Sequence, residues 1–124
     1  MVERATRRII CVHTAEGKRH DFTLFKDSRV RMKRETKAVV DSGYQGAQHG
    51  HANTLLPYKK SKKKPLTNAQ KRANTALAKE RITNEHVIGS LKRFRIAAER
   101  YRNRRRRYHL RITLLAAIHN MELE

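Results

Sequence analysis

The sequence predicts an α/β fold, and three observations carry that expectation. Two short runs, Arg8-Ile9-Ile10-Cys11-Val12-His13 and Lys37-Ala38-Val39-Val40-Asp41, have the β-branched, apolar composition of strands. Residues 67–94 contain few helix breakers and space Ala73, Leu77, Val87, Ile88, Leu91 and Phe94 as the apolar positions of one long helix. Leu110, Ile112, Leu114, Leu115, Ile118 and Met121 then crowd into a final helix that should pack on the sheet. At 124 residues the chain is one domain or part of one, with room for a modest core.

Taken in order, the first strand run is preceded by nothing that could pair with it fully. Cys11 is the single cysteine, lies inside that apolar run and is expected in the core; with no CxxC pair a structural zinc site is not indicated. Glu16-Gly17-Lys18 reads as a turn, and residues 23–28 as a short helix, with Phe22, Phe25 and Val30 facing the core. The second strand run ends on the carboxylate of Asp41, followed by the glycine-punctuated turn Ser42-Gly43-Tyr44-Gln45-Gly46. A carboxylate at the end of a buried strand is where α/β proteins place chemistry, and it is equally a helix cap. His49 and His51 are two apart, a spacing open to metal, but a polar loop is the favoured reading. Residues 53–58 form a short strand stopped by Pro57, and Thr67 is placed to cap the long helix. Gly89 is that helix's one weak point.

Charge narrows the partner. Thirty Lys and Arg against eleven Asp and Glu give a net charge of +19, far beyond the needs of solubility, which points to a polyanion. Five lysines fall within residues 59–64, and six arginines within 100–108, with Tyr101 and Tyr108 close to its ends. Arginine forks suit phosphate oxygens, and tyrosines can bond the backbone or stack on unpaired bases, so nucleic acid is the expected partner. No run of about 18 apolar residues exists and no signal-like segment opens the chain, so neither a membrane nor export is expected.

The stretch 77–95, LAKERITNEHVIGSLKRFR, sets Arg81, Glu85, Gly89 and Lys92 along one helical face. A carboxylate between two cations with a glycine beside it would serve a metal-and-phosphate site. Spacing alone favours the plainer alternative, a solvated ion-pair stripe stabilising by about 0.2–0.5 kcal/mol per pair.

The segments HTAEGKRHDFTLFKDS, VVDSGYQG, LLPYKK, RITNEHVIGSLKRFR and YRNRRRRYHLRITLLAAIHN, in this order, resemble the C-terminal part of bacterial insertion-sequence transposases of the DDE class, the group related to Harbinger-like DDE endonucleases. The resemblance spans essentially the whole chain and implies a ribonuclease-H-like fold, a mixed sheet with flanking helices, whose three carboxylates hold two divalent metals, Mg²⁺ or Mn²⁺. By resemblance Asp41 is the second acidic residue and Glu85 the third, both catalytic and metal-binding. Arg81 and Lys92 match the family's cations four before and seven after the glutamate. With Lys59, Lys60, Arg104 and Arg105, they are the expected DNA contacts. Where the family has a tyrosine three residues before that arginine, this chain has Ala78.

The same resemblance places the first acidic residue and the first strand upstream of residue 1, so the expectation is an incomplete fold: a strand-rich part at 1–58 with Asp41, a basic linker at 59–66, and a helical part at 67–124 with Glu85. Asp21 is the nearest substitute for the absent acid. The family activity is metal-dependent cleavage and transfer of DNA strands at transposon ends, in a bacterial cytoplasmic, nucleoid-associated setting, by full-length relatives expected to act as homo-oligomers. This chain is expected to be inactive alone and marginally folded. The competing class is a small, basic, non-enzymatic nucleic-acid-binding protein, in which Asp41 and Glu85 have no role in any activity.

Overall fold

Thr67 starts the longest element as expected. Its hydroxyl accepts the Gln70 N–H at 3.2 Å while the Gln70 side chain accepts the Thr67 N–H at 3.0 Å, a reciprocal capping box that satisfies two otherwise orphaned donors. In the computed structural model, which describes residues 1–15, 19–102 and 105–124 with Arg105 represented by its backbone, the helix begun there is Asn68–Lys92. The expected turn at Glu16-Gly17-Lys18 lies outside the described residues, as does Arg104. The described elements are helix-rich with one small two-stranded parallel sheet, compatible with an α/β fold. The chain forms two units, a central one of residues 15–81 and a terminal one made of residues 1–14 and 82–124.

The central unit contains α1 (Asp21–Asp27), β1 (Ala38–Val39), a 3-10 turn (Ser42–Tyr44), α2 (Ala47–Gly50), β2 (Thr54–Leu55) and the first part of α3 (Asn68–Lys92). β1 and β2 run parallel with Ala38 opposite Thr54 and Val39 opposite Leu55. Both strands are shorter than their apolar runs. Asp41 leaves the ladder to cap the following turn, and Pro57 has no N–H to extend β2. The segment around His49 is a helical turn rather than the expected loop; His51 ends it, its Nε2 2.6 Å from the Thr36 carbonyl oxygen. Gly46 opens that turn at φ +100°, and a Cβ there would stand 3.0 Å from the Phe22 ring, so both backbone and packing require glycine. Phe22, Phe25 and Val30 are half-buried, short of the core positions expected of them.

In the terminal unit, residues 1–3 do pair with the first apolar run. Val2 and Ile9 form an antiparallel bridge, the Glu3 N–H donates to Arg8 O at 2.8 Å, and the Ile10 N–H to Met1 O at 3.0 Å. The tight return between them puts Arg7 at φ +61°, a left-handed conformation that costs a non-glycine residue about 1–2 kcal/mol. Among the described residues the ladder is this single bridge, with the Met1 amino group donating to Cys11 O at 2.7 Å beyond it, so the run does not become the strand expected over residues 8–13. Ile9, Val87 and Ala116 form the buried cluster, with Val2, Val12 and Leu91 packed on it. Cys11 is half-buried and free. α3 ends at Lys92, Phe94 caps the single turn α4 (Arg95–Ala98), and α5 is Tyr108–Met121. α5 buries Leu115, Ala116 and His119, whereas Leu110, Leu114 and Met121, expected to pack inward, are exposed.

Candidate functional site

In the central unit the residues following β1 gather most of the chemistry. The Asp41 carboxylate accepts the Ser42 N–H at 2.5 Å and so caps the 3-10 turn, the alternative that spacing left open for it. Arg81, on α3, brings its Nη1 to 3.2 Å from Asp41 Oδ1. With the Asp41 side chain 54% exposed, such a pair contributes at most about 1 kcal/mol. Its consequence is chiefly electrostatic: the carboxylate is already neutralised by a neighbouring cation, and the arginine already holds an anion. Beside it, Lys37 Nζ lies 3.2 Å from a Glu80 carboxylate oxygen.

α1 packs onto the same turn through three successive fits. Asp21 places Oδ2 where a Cβ on Gly43 would stand only 2.8 Å away, Phe22 covers Gly46, and the Phe25 ring meets Tyr44 edge-on at 6.2 Å. Tyr44 is thereby half-buried between two carboxylates. Burial, and then the charges of Asp21 and Asp41, push its hydroxyl above the ordinary tyrosine range. Tyr44 is thus the residue at this turn that sequence reasoning passed over, although it sits three positions after Asp41 in VVDSGYQG.

The second acidic position is differently held. Glu85 lies on the part of α3 belonging to the terminal unit, exposed and with no salt bridge among the described residues. A Cβ at Gly89 would meet nothing within 4 Å, so this glycine borders open helix surface, not a tight cradle. Lys92, Lys59 and Lys60 are also exposed, available to a polyanion as long flexible cations. Tyr101 and Tyr108 pack on each other at 4.8 Å with the Arg111 guanidinium 5.6 Å from the Tyr101 ring, so both tyrosines of the arginine run are engaged within the protein. Arg104 lies outside the described residues, and for Arg105 only the backbone is described.

Carboxylates are the right donors for a hard divalent cation. Their number falls short: among the described residues no three His, Cys, Asp or Glu side chains come together as a metal-binding group, and Arg81 already pairs with Asp41. Among the described residues, then, no complete set of ligands for a two-metal centre is gathered. Among the described residues no helix is long and apolar enough to cross a membrane.

A family model described as DDE superfamily endonuclease matches residues 2–120. The chain belongs to this family. Nucleases of the DDE superfamily generally use divalent metal ions. This DDE-family chain is also 43% identical over 123 residues to a protein of Microchaete diplosiphon described as a probable transposase for insertion sequence element IS702. The match takes in 99% of this chain and 45% of that relative, so the chain spans a little under half the length of the transposase it resembles. No solved structure matches it.

Proposed function

We propose that these 124 residues are part of an insertion-sequence DDE transposase, in which Asp41 and Glu85 act as two of the three metal-binding carboxylates of a ribonuclease-H-like site for Mg²⁺ or Mn²⁺, and that the chain binds DNA without cutting it alone. The observation that supports this most directly is the family match over residues 2–120, which contains both acids within one endonuclease pattern. The third acid would come from chain outside these residues, in keeping with the relative's greater length. Two-metal phosphoryl transfer needs a pair of cations about 3.5–4 Å apart, and two carboxylates, one of them salt-bridged to Arg81, are too few to hold that pair. The division into a strand-rich part at 1–58, a basic linker at 59–66 and a helical part at 67–124 belongs to the same reading.

The DNA would be held by exposed cations, with Lys59, Lys60 and Lys92 as the side chains open to it, Arg104 and Arg105 as further candidates, and Arg81 released from Asp41 when the site is assembled. Homo-oligomers that pair two element ends would be the working form of the complete protein, in the bacterial cytoplasm on nucleoid DNA.

The test is to incubate the purified chain with supercoiled plasmid in Mg²⁺ or Mn²⁺. Binding is expected to weaken by roughly a hundredfold or more between about 50 and 200 mM salt, as release of counterions from several phosphate contacts requires, and no nicked product is expected. Nicking that Glu85→Gln or Asp41→Asn abolishes would show a complete site and overturn the claim of inactivity. Absence of DNA binding would overturn the reading of the basic surface.

A further inference from the structure

α5 is apolar on two opposite sides. Its inner side buries Leu115, Ala116 and His119 within the terminal unit. Leu110, Leu114, Ala117 and Met121, at spacings of four, three and four, form a second stripe on the other side. That stripe is open: Leu110 is 67%, Leu114 60% and Met121 71% exposed. A surface helix ordinarily turns a polar side to water, and a helix apolar all round is one that is covered all round. Arg111, Thr113 and Asn120 border the stripe at its flanks, while Leu110, Leu114 and Met121 themselves face outward from the buried side of the helix.

What covers such a stripe is indicated by length. More than half of the Microchaete transposase lies outside the segment this chain matches, while nearly all of this chain lies inside it. In that protein the matched segment is therefore joined to a larger partner at the high effective concentration that covalent linkage supplies. A second copy of this chain is the poorer occupant. Each copy carries a net charge of +19, so two copies repel one another as a whole.

We infer that the outer stripe of α5, Leu110, Leu114 and Met121, is the docking face for the portion of a DDE transposase that lies outside the segment represented here, which meets it with an apolar surface. This rests on family membership and on the relative's length; it does not require Asp41 and Glu85 to bind metal.

The experiment co-expresses the full 124-residue chain with the part of the Microchaete transposase outside the match, supplied as a separate polypeptide. Sedimentation velocity is expected to show a one-to-one complex, and hydrogen exchange over residues 108–121 is expected to slow when it forms. A Leu110→Ser, Leu114→Ser, Met121→Ser variant is expected to weaken association at least tenfold while keeping the wild-type far-ultraviolet circular dichroism, because none of the three side chains is in the core. Leu114→Lys alone provides a milder second variant and is expected to act in the same direction. Failure to form a complex, or association unchanged in both variants, overturns the inference. So does self-association of the isolated chain that the same substitutions abolish. Any of these results leaves the plasmid-nicking experiment unaffected, since that experiment reads the metal site and the basic surface.

Discussion

Two asparagines do the same work in the two units and should be worth different amounts. In the terminal unit Asn120 accepts the Ile9 N–H at 2.8 Å and donates to the Ile9 carbonyl at 2.9 Å. In the central unit Asn74 accepts the Tyr58 N–H at 2.8 Å and donates to the Tyr58 carbonyl at 2.9 Å. In each case a carboxamide on a helix presents one donor and one acceptor to the backbone of a single residue, as a neighbouring strand would. The difference is water. Ile9 belongs to the buried cluster, while Tyr58 is exposed. When a buried backbone pair loses its partner it carries the desolvation cost uncompensated, whereas an exposed pair exchanges its partner for solvent. Identical geometry thus gives a structural clamp in one place and a light tether in the other.

The largest effect that could break this comparison is at Asn120. Asn120→Ala leaves both polar groups of Ile9 without a partner beside Val87, itself 2% exposed, and is expected to lower stability by about 2–3 kcal/mol. Urea unfolding gives the magnitude. Hydrogen exchange should locate the loss in residues 1–14 and 108–121, where the clamp holds the N-terminal pairing to α5. A cost below about 1 kcal/mol would mean that water reaches Ile9 and that burial does not separate the two clamps.

The smaller counterpart is Asn74→Ala, expected to cost about 0.5–1 kcal/mol, because solvent takes over both bonds to Tyr58. Equal costs for the two substitutions, in either direction, would dissolve the contrast. The measurement is the same urea titration, with exchange at the Tyr58 amide as the local readout.

Neither asparagine was legible in the sequence, and the reason is physical. Periodicity and propensity describe an element's own residues, so Thr67 as a cap, the long helix after it, α1, β1, β2 and the final helix could all be found from local signals. A helical asparagine that clamps a segment 16 or 111 positions away leaves no local trace beyond its modest helix propensity. The same limit explains the strand expected over residues 8–13. Its composition suggested a strand, but pairing depends on residues 1–3 and on Asn120, which composition does not report, and only the bridge at Ile9 forms. At the site, a turn cap was one of two readings that the position of Asp41 after the strand run left open, while its pairing with Arg81, forty positions on, left no local trace. Reading α5 as a helix was correct, but an apolar count could not say which of its two apolar sides would be covered. The Arg81–Asp41 pair also separates two acids that the sequence treats alike: Asp41 is compensated within its unit, and Glu85 stands open on its helix.

The smallest effect sharpens the comparison by carrying the same variable, burial, to a titrating group. Tyr44 lies in the same unit as the Asn74 clamp, yet unlike Tyr58 it is half-buried, and burial followed by the charges of Asp21 and Asp41 raises its hydroxyl pKa above the ordinary 10.0. Because the folded state holds this proton more tightly than the unfolded state, the associated stability is fully present below about pH 10 and is lost as pH rises through the elevated folded value. The difference in phenolate absorbance between the wild type and Tyr44→Phe isolates this one group. Its midpoint should fall above the ordinary tyrosine value of 10.0. Asp21→Asn removes the second of the three causes and should move the Tyr44 midpoint partway down, leaving the larger part that burial supplies. If Asp21→Asn instead abolished the whole shift, charge would govern this turn, and burial could no longer explain both Tyr44 and the unequal clamps.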